Sequence, residues 1–397
     1  MANKSGRKVK HIRKIYKKKR TAFQRILSFL LFILIISVLV FLGYSAGKPI
    51  KEYFLNRGSR DSEQSSGWTP PETTTSLTTE TTTQPKPEPE PTVEFLSYRL
   101  PVEALSDEAT LLSQLSEAKS NGYTGVVVTL KADGGAIYYS TENEKAKTAL
   151  AVSGTMSVSQ IANAIKDEGL TAIAEISVLK DHITTYVYKD LSYVFADGVS
   201  MWIDNKLSKG GKPWMSPFSE NSRQYISDIT AEITAGGFDY IIASDLIFPP
   251  FRNSDLEYIG DIVKDENRHT SLTSMAHVVQ SQVEASGGQM FIEVSASEAF
   301  SGAAEIFHPE ELSGIGFAVL LDFEGMGNGI TLEDSSYLDL NGLSVYEKTR
   351  IVLIKLSELS SPNMLIPLIE KASLSDEDLS EAMRAFNDLG YSAYIVE

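Results

Sequence analysis

The run Gly125-Val-Val-Val-Thr-Leu-Lys131 is apolar at nearly every position, and Phe317-Ala-Val-Leu-Leu321 repeats the pattern. A strand with one wet face alternates polar and apolar side chains. A strand apolar on both faces belongs to a parallel sheet covered on both sides. Working outward, the strand candidates become Phe95–Leu100, Gly125–Lys131, Thr171–Leu179, Tyr240–Phe248, Met290–Ala296, Gly316–Phe323, Met364–Ile369 and Ser392–Val396. Amphipathic stretches lie between them: Ala109–Ser120, Val158–Glu168, Ser222–Ala235, Ser271–Ala285, Tyr346–Leu359 and Asp376–Leu389. Gly122, Gly169, Gly236 and Gly390 stand where helices stop before strands. Strands and helices alternating over residues 93–397 predict an α/β fold, a (β/α)8 TIM-like barrel. A doubly wound open sheet is the alternative. The first strand lacks a following Gly-rich phosphate loop, which weakens its nucleotide-binding form.

The segments before the barrel predict a membrane anchor. Residues 1–25 hold eleven Lys or Arg and no acid, and Ile26–Ala46 is an almost unbroken apolar run of 21 residues. Such a helix reaches about 30 Å, the thickness of a bilayer core. The basic tail keeps the amino terminus in the cytoplasm and sends the remainder outside, to a bacterial surface. A cleaved signal peptide is the rival reading; its apolar core is shorter and ends in small residues, whereas Tyr44 stands near the end of this run. Residues 47–92 are rich in Thr, Pro and Glu (TTTSLTTETTTQPKPEPEP) and predict a disordered stalk. The chain carries 36 basic and 52 acidic residues, and the basic ones crowd the tail. The remaining acidic surface excludes nucleic acid as a partner. With no cysteine, disulfides and thiol chemistry are excluded. Five dispersed histidines argue against a local zinc site, and the acids near Asp334 and Asp339 lack EF-hand spacing. Neither a metal nor a cofactor is expected.

Four segments, in order, carry a family resemblance: TLKADGGAIYYS (Thr129–Ser140), IAEISVLKD (Ile173–Asp181), WMSP (Trp214–Pro217) and GFDYIIASDLIFP (Gly237–Pro249). They resemble a family of proteins predicted to be glycoside hydrolases with TIM barrels, whose strand motif reads GFDEIQFDYIRFP and follows a W-x-D-P motif. The resemblance covers roughly Phe95 to Pro249. It implies a polysaccharide or cell-wall glycan as substrate, with Lys131, Tyr138, Lys180 and Trp214 among the site residues. Aligned residue by residue, five positions depart: Thr129, Glu175, Ser216, Ser244 and Ile247 stand where the family has Asp, Arg, Asp, Asp and Arg. The pattern fits a site rebuilt with other carboxylates, or a scaffold that binds glycan or a surface protein without cleaving it.

Glycoside hydrolysis ordinarily needs two carboxylates, which a TIM barrel carries at the carboxyl ends of its strands. The candidates are Asp245, Glu175, Glu293 and the pair Asp322 and Glu324 in LLDFEG, read as sharing one side of the sixth strand. Asp245 lies one residue past the family's Asp, so strand alternation turns it away unless the strand ends there. Glu175 needs a cation, for which Lys131 and Lys180 are candidates. Trp202 and Trp214 fall in the long segment 181–221 and are candidates to stack on a sugar, or to pack that segment onto the barrel. The Gly-rich, basic run Lys206–Pro213 (KLSKGGKP) reads as a flexible tip.

Overall fold

The computed structural model describes residues 94–360 and 364–397. The expected tail (1–25), membrane helix (26–46) and stalk (47–92) lie outside the described residues. Among the described residues no helix is long and apolar enough to cross a membrane. Eight parallel strands close into a barrel: β1 (Phe95–Arg99), β2 (Gly125–Lys131), β3 (Thr171–Ser177), β4 (Tyr240–Ser244), β5 (Gln289–Ser295), β6 (Gly316–Leu320), β7 (Leu365–Ile369) and β8 (Ala393–Val396). Each pairs with its chain neighbours, and β8 returns to β1 through Phe95↔Ala393 and Ser97↔Ile395. A small antiparallel hairpin, Gly329–Thr331 with Tyr337–Asp339, stands in the β6–β7 connection. The open-sheet alternative is thus excluded by closure.

Several helices outside the barrel begin where the sequence supplies a cap. For α1 (Glu108–Ser120), the Asp107 carboxylate accepts from the Thr110 amide at 2.8 Å. For α2 (Val158–Asp167), Ser157 and Gln160 form a reciprocal capping box. For the helix Asp376–Asp388, Ser375 accepts from the Asp378 amide. Such caps satisfy orphan backbone donors and each contributes about 1 kcal/mol.

Alternation along the strands decides where polar chemistry can stand. Phe95, Val127, Ile173, Ile242, Phe291, Ala318, Ile366 and Ala393 form one buried cluster inside the barrel. Side chains two residues further along face the same way. Continuing toward the carboxyl ends, the interior series therefore runs through Ser97 and Arg99 on β1, Thr129 on β2, Glu175 and Ser177 on β3, Ser244 on β4 and Glu293 on β5. The interior is apolar below and charged at the carboxyl-terminal mouth.

β4 and β6 end well before the bounds the sequence pattern suggests. β4 stops at Ser244 because Asp245 adopts a left-handed backbone (φ 54°), which an extended ladder cannot contain. β6 stops at Leu320, and Phe323–Met326 is already helical, so Glu324 sits in a helical turn. The expectation that Asp322 and Glu324 share one side of a strand is corrected on that ground.

Candidate active site

Arg99 closes β1 at the mouth, and three carboxylates converge on its guanidinium. Nη2 donates to Glu293 Oε2 at 2.6 Å, Nη1 donates to Glu397 Oε2, and Nε lies 3.4 Å from Glu175 Oε2. These acids come from β5, the residue following β8, and β3. Glu175 also accepts from Thr129 Oγ1 at 2.8 Å and from Ser244 Oγ at 2.9 Å. Its cation is therefore Arg99, and neither Lys131 nor Lys180 serves it. All four side chains keep a narrow exposure, 11–21%. They are dry enough for strong electrostatics and still open to the mouth.

Three acids about one cation leave a surplus of negative charge, and the protonation of the cluster reflects it. Burial lowers the pKa of Arg99, but the three carboxylates raise it by more, so the guanidinium stays charged. Burial pushes the Glu293 carboxyl above its ordinary value, with Arg99 opposing and Glu175 reinforcing the shift. Burial, opposed by Arg99 and reinforced by Glu293, carries Glu397 up to about 7. A carboxyl that holds its proton near neutral pH beside other carboxylates is the electrical arrangement a proton donor requires.

Asp245 joins this mouth. Its left-handed backbone overrides the alternation that would turn it away, and its carboxylate accepts from Ser177 Oγ at 2.7 Å. Lys180 stands 3.5 Å from Asp245 and 3.5 Å from Asp133. The structure thus brings together Glu175, Glu293 and Asp245 among the sequence candidates. Asp322 instead accepts from the Ser297 amide at 3.1 Å and from the Ser297 hydroxyl, bracing the end of β6 against the turn after β5. Glu324 is exposed on its helical turn.

Lys131 and Trp202, read from the sequence as substrate contacts, are wholly buried. In this conformation they support the mouth instead of lining it. The Lys131 ammonium pairs with Asp181 at 3.2 Å and donates to the Ser177 carbonyl at 2.7 Å, fastening β2 to the end of β3. Asp181 also accepts from the Thr184 amide, and Gly135, at φ 101°, lies where any Cβ would overlap that carboxylate. Trp202 packs between Tyr193 and Phe251 at 5.9 and 4.9 Å. Trp214 is almost buried and donates its indole N–H to Asp204 at 3.1 Å. Tyr138 is half-buried against the core, and Lys180 remains partly exposed.

A family model described as a putative glycosyl hydrolase domain matches residues 100–305, just over half of the chain. The chain belongs to that family. The matched range holds β2 to β5 and with them Glu175, Asp245 and Glu293, while Arg99 and Glu397 fall outside it. Among solved structures, the PgaB (BpsB) glycoside hydrolase domain from Bordetella bronchiseptica is 13% identical, over 77% of this chain and 94% of that one, with a TM-score of 0.52. At that identity the likeness speaks for the fold alone. A hypothetical protein from Ruminiclostridium thermocellum ATCC 27405 is 18% identical over 49% of this chain and 96% of its own, with a TM-score of 0.40. No curated protein matches the chain in sequence.

Sequence reasoning missed Arg99 and Glu397. Each is a lone charge at a strand end, and the signal available was parity with Phe95 and Ala393, whose side chains point inward. Two outcomes are expected from the cluster. Arg99→Met leaves buried carboxylates without their cation and should cost about 3–5 kcal/mol near neutral pH. The loss should be smaller near pH 5, where protonation relieves it, as read from urea midpoints at the two values. For Glu397 the folded value of about 7 exceeds the ordinary 4.5. The stability it confers is complete below about 4.5 and is lost as pH rises through about 7. Glu397→Gln, permanently neutral, should therefore show a flatter decline of stability across that window than the parent chain. Equal slopes would remove Glu397 from the titrating cluster.

Proposed function

We propose that the barrel is a glycan-cleaving enzyme held at the outer face of a membrane, acting on cell-surface or wall polysaccharide by carboxylate acid/base chemistry. The observation that carries this reading is the convergence of Glu175, Glu293 and Glu397 on Arg99 at the carboxyl-terminal mouth, with the proton affinity of Glu293 and Glu397 raised. Carboxylates that share one guanidinium are separated by no more than that group and its contacts. In the proposed chemistry Glu293 delivers a proton to the leaving glycosidic oxygen. Glu175, held by Thr129 and Ser244, acts from the other side as nucleophile or as activator of water. Asp245 and Lys180 form one wall of the site. Family membership supports the substrate class. The topology rests on the eleven basic residues before the apolar run 26–46, which would anchor the chain and leave residues 47–92 as a stalk.

A second reading has its own observation. Ser216, Ser244 and Ile247 replace charged family positions, and Arg99 already occupies the three glutamates. A barrel whose acids are held in this way would bind a glycan or a surface protein without cleaving it.

The two readings separate in one assay. Full-length protein in detergent, incubated with cell-wall and capsular polysaccharides, should release reducing ends. Glu293→Gln and Glu175→Gln should each lower that rate by at least about 100-fold, the scale of a lost general acid or base. Asp322→Asn with Glu324→Gln should leave the rate near that of the parent. Binding without release in every case would select the second reading. The topology has a separate check: protease added to intact cells should remove the barrel and spare an epitope placed before residue 25. Protection of the barrel would overturn the outward orientation.

A further inference from the structure

Beside the mouth lies a group of polar side chains that the proposed chemistry leaves idle. The turn after β2 and the segment after β3 enclose a cleft of about 100 Å³, lined by Asp133, Lys180, His182, Asp204, Lys212 and Trp214, and by Asp181, whose charge is matched by the buried Lys131. Its charged groups are unequally engaged. Asp204 is consumed: its carboxylate accepts from the Lys212 amide at 2.8 Å and from the Trp214 indole at 3.1 Å, which locks the KLSKGGKP tip as one wall. Asp133 is exposed and opposes Lys180 alone. The cations are left open. Lys212 has no ion pair among the described residues. Lys180 stands 3.5 Å from each of its two acids, beyond the roughly 2.7–3.2 Å of a good N–H···O bond, so its donors remain available.

This openness runs against the charge of the whole domain. Residues 94–397 carry 45 acidic and 20 basic side chains, enough acid to pair every cation twice. Lys206 and Lys209 add two exposed ammonium groups to the same tip. His182 contributes a donor without charge, since burial and then Lys212 lower its pKa and keep the imidazole neutral. Next to it, the Tyr186 ring is 44% exposed and stands edge-on to His182 at 6.3 Å. Its hydroxyl donates to the Gly211 carbonyl at 3.0 Å, which fixes the ring in place. A fixed aromatic face beside one unpaired ammonium group, Lys212, and one loosely paired, Lys180, suits a sugar ring that bears a negative charge.

We propose that this cleft is a subsite for a glycan carrying an anionic substituent, a carboxylate or a phosphate, bound by Lys180 and Lys212 with its ring against Tyr186. The inference rests on the reading of the barrel as glycan-acting, and it names the substrate class. Lys180 links the two places, because it also faces Asp245 at the mouth. The acidic domain repels anions at a distance, so recognition is short-ranged and sensitive to salt.

The test uses full-length protein in detergent and three oligosaccharides of equal length: a uronate, a phosphodiester-linked one and a neutral one. Titration calorimetry should give one of the anionic ligands an affinity about tenfold above the neutral ligand, and the arm that wins identifies the anion. That advantage should fall on raising salt and disappear in Lys180→Gln and in Lys212→Gln. Lys212 is exposed, so its replacement leaves the fold intact and a null result there counts. Glu293→Gln should keep the preference while losing release, which separates the two proposals. If no chain releases sugar yet the lysine-dependent preference stands, the chemistry falls and the subsite survives. Equal affinity for all three ligands, no measurable binding of any, or a preference that survives both lysine substitutions, would overturn the subsite.

Discussion

Arg99 is the constraint on which the mouth of this barrel depends. Its guanidinium joins β1 to an acid just beyond its neighbour β8 and to acids on β3 and β5, two strands that do not pair with β1. A cation buried among carboxylates is costly to desolvate and also costly to remove, because its partners would then stand unpaired. The apolar layer below, from Phe95 to Phe291, denies those charges any solvent from beneath. The cluster can therefore relax its surplus charge in two ways, by taking up protons or by facing a ligand through the mouth. Both uses need the same closed wall.

Around the cluster, the structure spends buried polar contacts on holding loops in place. The Lys131–Asp181 pair fixes the turn after β2 against the start of the segment after β3, and Gly135 makes room for it. Trp202, Tyr193 and Phe251 form an aromatic plug under the rest of that segment. Asp204 gathers the KLSKGGKP tip onto Trp214. These residues are the fixed frame within which Lys180, Lys212 and Tyr186 are free to meet a ligand.

Much of the architecture was legible from local pattern. Runs such as GVVVTLK and the glycines after helices report burial and chain reversal, which are properties of a few neighbouring residues, and all eight strands appear where those signals lie. The site was legible in part. Glu175 and Glu293 were found because an acid inside an apolar strand is conspicuous. Arg99 and Glu397 were not, because a single charge at a strand end usually meets water, and only ring closure shows otherwise. Asp245 defeated the period-two rule through one backbone angle, which no alternation can foresee. Asp322 and Glu324 were misplaced because a strand-to-helix switch within three residues leaves no periodic trace. Trp202 could not be assigned a face from sequence, since burial of a ring depends on a loop path set by distant contacts.

The pairing of β8 with β1 also has a kinetic side. Arg99 and Glu397 are 298 residues apart in the chain, and their contact forms only when the last strand docks beside the first. Contacts of such long sequence separation are slow to form, because the loop entropy is lost before the contact rewards it. Until that moment β1 offers an unpaired edge and Arg99 lacks one of its acids. The charged mouth is thus complete only in a closed barrel, so a chain whose last strand is undocked would hold most of its core and none of its finished site.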